Sequence, residues 1–109
     1  MALTELRDEI SRRESCAFLL TVGPDGRPRC VAVQADWVNG EIVVAPGNRS
    51  CHNAKERPLV SLLWPSADPR EFSLIVDATV TSTTRGRVGD NRLAITPTNA
   101  VLHRSANLQ

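Results

Sequence analysis

No apolar run in this 109-residue chain approaches the ~18 residues that a membrane-spanning helix requires. Residues 1–14 are dense in charge and lack the apolar core of a signal peptide, so a cytoplasmic protein with no membrane partner is expected. A surplus of one charge is also lacking. Thirteen basic and 12 acidic side chains leave a net charge of +1, which gives no electrostatic footprint for nucleic acid. The three cysteines, Cys16, Cys30 and Cys51, are odd in number and contain no Cys-x-x-Cys pair. They supply neither a disulfide framework nor a zinc site, and no metal is expected. Lysine is nearly absent: Lys55 stands against 12 arginines. Arginine is the better fork for phosphate and carboxylate, but a coding bias gives the same ratio, and both explanations stay open.

What is present describes one small globular domain over residues 1–109. The apolar fraction of 41% with 23% charged residues excludes disorder, and the length leaves no room for a second domain. Leu3, Leu6 and Ile10 form one helical stripe in residues 3–13. Thr4 is the expected cap, with acidic residues early and Arg12 and Arg13 late, as the helix dipole favours. From Cys16 the pattern becomes that of strands. Residues 16–22 are almost continuously apolar, Gly23-Pro24-Asp25-Gly26 is a turn, and residues 29–38 alternate. Asn39-Gly40 signals a type I′ hairpin, and residues 41–45 return as a third strand.

Pro46-Gly47-Asn48 breaks the sheet, and Asn48 or Ser50 is expected to cap a short helix ending before Pro58. A fourth strand follows at 59–64, a polar loop at 66–71, and a long alternating strand at 72–84. Residues 85–91, with Gly86 and Gly89, turn the chain back. Residues 93–96 and 100–103 then form a last strand interrupted at Pro97. Six short antiparallel strands with two short helices predict a mainly β fold, a small barrel. A barrel of this size leaves edges or apolar faces to cover, and a homodimer is the simplest cover.

The order of elements resembles the pyridoxamine 5′-phosphate oxidase-like flavin proteins. The resemblance is carried by Asp25-Gly26-Arg27-Pro28-Arg29, Asn39-Gly40, Gly47-Asn48-Arg49-Ser50, Asn53, Arg57-Pro58 and Ser61-Leu62-Leu63-Trp64-Pro65, over about residues 3–84. It implies a six-stranded antiparallel split β-barrel, homodimeric, with FMN at the subunit interface. The cofactor contacts it implies fall on Arg29, Gln34, Val44, Ala45, Arg49, Ser50 and Cys51. Arg29 and Arg49 match arginines that grip the FMN phosphate. Gln34 stands in place of a lysine near the flavin ring, and Ser50 or Cys51 in place of a second lysine.

The chemistry agrees in part. A phosphomonoester dianion favours arginine forks and open amides at a helix N-terminus, which Asn48-Arg49-Ser50 would offer. A capped helix with a solvated Arg49 would use the same residues. Strand parity sets Arg29 and Gln34 on opposite faces, so one ligand reaches both only at a bulge or an edge.

Other residues promise less. Cys51-His52 reads as a surface pair without a third ligand, because adjacent helical side chains diverge. Asp77 lacks a partner carboxylate, so it is expected to face solvent or pair with an arginine. His103 falls near where true pyridoxamine phosphate oxidases carry substrate-binding Arg and His. The rest of that region is missing, so that reaction is not expected. No catalytic residue can be named. The expectation is an FMN-binding oxidoreductase of unassigned substrate. The alternatives are a relative that binds the deazaflavin F420 or haem, and a cofactor-free dimeric barrel.

Overall fold

The computed structural model describes residues 1–68, 70–86 and 90–104. Its six strands are β1 (Cys16–Val22), β2 (Pro28–Val38), β3 (Glu41–Val44), β4 (Leu59–Trp64), β5 (Ser73–Thr84) and β6 (Arg92–His103). They close antiparallel in the order β1-β2-β3-β6-β5-β4, the barrel that the alternation predicts. Two helices, α1 (Leu6–Ser11) and α2 (Asn48–Glu56), complete the fold. Among the described residues no helix is long and apolar enough to cross a membrane.

Alternate residues of each strand fill the interior, among them Leu19, Val33, Ile42, Leu62, Val76 and Ile95. Full burial of one such side chain stabilises the fold by roughly 1.5–3 kcal/mol. Helix α1 adds Leu6 and Ile10 to this core, and α2 adds Cys51 and Ala54. The barrel's outer wall is also apolar in part. Register aligns Ala32, Phe18, Leu63, Ile75 and Val101 in one row across β2, β1, β4, β5 and β6. Val101 is 44% exposed, and Phe18, Leu63 and Ile75 are half-buried.

The Asn39-Gly40 hairpin has the positive φ angles of a type I′ turn, 51° and 82°. Three local expectations need correction. The first helix starts as a 3-10 turn, Leu3–Glu5, with no side-chain cap from Thr4 or any other residue. Arg12 and Arg13 lie beyond α1 yet hold it, their guanidinium groups 2.7 and 3.0 Å from the Glu9 carboxylate. The last strand is not interrupted at Pro97. A register shift sets Asp77 opposite Asn99 and Ala78 opposite Pro97, with Thr98 as the extra residue. That bulge accommodates a residue without an N–H, and β6 runs on through it. Within the two expected connections, Pro69 and residues 87–89, Gly89 included, lie outside the described residues.

Candidate functional site

The barrel wall is incomplete beside β2. Strand β3 pairs with β2 only from Ala35 to Val38, so residues 28–34 have β1 on one side and, among the described residues, no strand on the other. The cause is local: β3 ends at Val44, and Pro46, which has no N–H, follows after Ala45. The Ala35 amide donates to the Ser15 carbonyl at 2.9 Å. Antiparallel alternation then turns the N–H and C=O groups of Cys30, Ala32 and Gln34 toward the open edge. These three residues and Arg29 are exposed.

Helix α2 begins next to this edge. Its N-cap is Gly47, in extended conformation and without a side-chain cap. The Cys51 amide bonds the Gly47 carbonyl at 3.0 Å, which leaves the amides of residues 48–50 without intrahelical partners. Asn48 and Ser50, expected as caps, lie inside the helix instead. Asn48 Oδ1 accepts from Asn91 Nδ2 at 2.8 Å, and the same Nδ2 donates to the Pro46 carbonyl at 3.2 Å. Asn91 is buried and its Oδ1 has no donor among the described residues, at a penalty of about 1–3 kcal/mol.

The implied contact residues divide into two groups. Gln34 lies on the outer wall opposite Cys16, one residue from the Ala35–Val44 rung, so Gln34, Val44 and Ala45 share one end of the edge. Arg29 stands five residues away, about 17 Å along an extended strand. It is nevertheless at the barrel end that α2 closes: it pairs with Thr21, whose hydroxyl accepts from Asn53 of α2 at 3.3 Å. The β1–β2 register has no bulge, so Arg29 and Gln34 do face opposite ways. The open edge between them is accessible to both.

Burial separates the rest. Ala45 and Arg49 are exposed, whereas Val44, Ser50 and Cys51 are buried. The expectation of a Cys51-His52 surface pair is corrected: only His52 is exposed, because Cys51 faces the barrel interior. Burial pushes the Cys51 thiol above its ordinary pKa, opposed by the charges of Arg85 and Lys55. The described residues contain no metal-ligating cluster. Asp77 is exposed and accepts from the Ser61 hydroxyl at 2.8 Å rather than from an arginine. His103 lies opposite Ser73, exposed.

Sequence reasoning passed over Asn91 and Arg85, which sit on the connection between β5 and β6. Their only sequence signal is position at a turn, and the contact with α2 is long-range. A cavity of about 530 Å³ lies against α1, and one of about 470 Å³ lies beside the end of β1 and the start of β4, lined by Thr21 and Pro28 next to Arg29. Within this chain the edge of β2 is thus an open shelf.

No family model matches the chain. The uncharacterized protein Mb0449c of Mycobacterium bovis is 36% identical over 101 residues, 83% of this chain and 71% of the relative, and MT0457 of Mycobacterium tuberculosis gives the same figures. Solved structures share the fold at low identity. An FMN-binding protein from Syntrophomonas wolfei superposes with a TM-score of 0.73 at 12% identity, over 98% of this chain and 87% of its own. An F420 reductase gives 0.71 at 18% identity, over 86% and 94% of the two chains. The haem storage protein HutZ from Vibrio cholerae gives 0.70 at 15%, over 94% and 95%. The chain therefore belongs to one family with the two mycobacterial proteins, and it shares the split-barrel fold of these solved structures.

Proposed function

We propose that the protein binds a flavin, FMN in the first instance, along the open edge of β2, and acts as a small flavin-dependent oxidoreductase. The observation that carries this reading is the meeting of two unsatisfied backbone arrays: the edge at Cys30, Ala32 and Gln34, and the uncapped start of α2. A flavin offers partners to both. The rim of its ring carries donors and acceptors that match a strand edge. Its phosphate is an anion suited to free helical amides and the helix dipole. Exposed Arg49 and Arg29 add guanidinium forks at that end of the barrel. Gln34 offers a neutral amide to the ring. A bound flavin supplies electron transfer, while the protein fixes its orientation and surroundings.

A second copy completes this reading. The open shelf needs a cover, and the apolar outer row through Phe18, Leu63, Ile75 and Val101 needs burial. A homodimer that buries this row and roofs the shelf serves both needs. The reading is supported by neighbours described as an FMN-binding protein and an F420 reductase. A cofactor-free dimer is the second reading. It is favoured by Ser50 and Cys51, which stand where a second lysine is implied and are both buried.

The test is spectroscopic. Purified protein should carry a flavin absorption band, or gain a bound-flavin spectrum on titration with FMN at micromolar concentration. F420 binding without FMN binding would change the cofactor only. Failure of both at millimolar concentration would leave the cofactor-free dimer.

A further inference from the structure

We propose that Arg85 supplies a third positive charge at the phosphate end of this site, beside Arg29 and Arg49 and in place of the lysine implied near residues 50 and 51; the proposal rests on the flavin reading above. Register places it. Thr84 pairs with Arg92, and a Cβ built on Gly86 would lie 2.9 Å from the Cβ of Asp90. The residue between, Arg85, therefore stands opposite Asn91. Asn91 is bonded to Asn48 and Pro46, so this rung lies against the first turn of α2. The unmet Asn91 Oδ1 is buried at the same point, an acceptor left over beside the free helical amides.

The charge is available. Arg85 is exposed, and among the described residues it forms no ion pair, with the adjacent Asp90 or any other carboxylate. Its field reaches Cys51, where it opposes the effect of burial on the thiol. No side chain of α2's first turn except Arg49 brings a cation to this end, since Asn48 is neutral and Ser50 faces inward. Arg29 approaches from β2 and Arg49 from α2, which leaves the place of the implied lysine, at buried Ser50 and Cys51, without a cation. A guanidinium reaching in from the β5–β6 connection supplies one without any change in α2.

The experiment compares FMN and riboflavin, which differ only by the phosphate, on the full chain and on Arg85→Gln. Arg104→Gln is the control, because Arg104 covers the Phe72 ring at the opposite end of β6. Arg85→Gln should weaken FMN about tenfold, leave riboflavin unchanged and flatten the salt dependence of FMN binding. Arg104→Gln should change none of these. Unchanged FMN affinity, or equal losses for FMN and riboflavin, would overturn the proposal while leaving the flavin reading intact. If the wild type binds neither flavin, inorganic phosphate is titrated against the ¹⁵N-labelled protein. Movement of the Arg85 side-chain signal together with the amides of residues 48–50 would uphold the anion site and sink the flavin reading. No movement would overturn both.

Discussion

Asn53 and Thr21 are both buried, and Asn53 Nδ2 donates to Thr21 Oγ1 at 3.3 Å. This bond ties α2 to the end of β1, one strand from Arg29, and so fixes the helix whose start forms the candidate site. Arg57 Nε repeats the tie one turn later, donating to the Val22 carbonyl at 2.7 Å.

Asn53→Ala should lower stability by about 1–3 kcal/mol, because it leaves a buried hydroxyl without its donor. The double variant Thr21→Val/Asn53→Ala removes both polar groups and should cost less than the sum of Thr21→Val and Asn53→Ala. Urea denaturation of the single and double variants measures the coupling. Strict additivity would mean that the bond does not hold the helix.

The exposed cysteines should separate from the buried one. Cys16 and Cys30 are open to solvent, while Cys51 is buried with its thiol pushed up. A thiol reagent at neutral pH should label Cys16 and Cys30 quickly in the monomeric Phe18→Glu variant, and Cys51 only when the protein unfolds. Fast labelling of all three would show that α2 opens readily from the barrel.

Acid should act on Glu41. The Thr81 hydroxyl, then that of Thr96, stabilise its carboxylate and hold its pKa below the ordinary glutamate value. A lowered folded pKa means a contribution to stability that is present above the unfolded pKa and is lost as pH falls through the folded one. Thr81→Val should move the Glu41 midpoint upward, read by NMR titration, and reduce this part of the acid dependence. An unmoved midpoint would remove Thr81 as the cause.

A dimer should be visible by sedimentation at micromolar concentration, at twice the chain mass of 11.9 kDa. Phe18→Glu places a charge within the outer apolar row and should yield a folded monomer. If the row is the interface, that monomer should also lose flavin, because the shelf loses its roof. A wild-type monomer would remove the shared site.

Strands were legible in the sequence because their signals are local. Alternation marks β2 and β5, and Asn39-Gly40 declares its own turn through two positive φ angles. Pro97 misled because a missing N–H reads as a break, whereas β6 absorbs it by shifting register against β5. The site was legible only where one segment carries it, as in residues 47–50. The open edge depends on how far β3 runs along β2, and Asn91 reaches α2 from the distant β5–β6 connection. Neither leaves a trace in spacing. Inward placement of Ser50 and Cys51 likewise depends on which face of α2 the barrel takes up.

Gln34→Lys gives the most direct test of where the ring lies. Gln34 ends the open edge on the exposed outer wall, one residue before the Ala35–Val44 rung. The split-barrel pattern implies a lysine there, and a neutral amide replaces a charge-assisted bond with an ordinary one. Charge assistance roughly doubles the strength of a hydrogen bond, so the lysine should tighten FMN by about tenfold. Riboflavin should tighten equally, because the contact is to the ring and not to the phosphate. That equality distinguishes this substitution from Arg29→Ala and Arg49→Ala, which should weaken FMN far more than riboflavin. Titrations of both ligands against all three variants therefore orient the cofactor along β2. Tightening of FMN alone by Gln34→Lys would put the phosphate at the Gln34 end and reverse the orientation, whereas no change for either ligand would take the ring off this edge altogether.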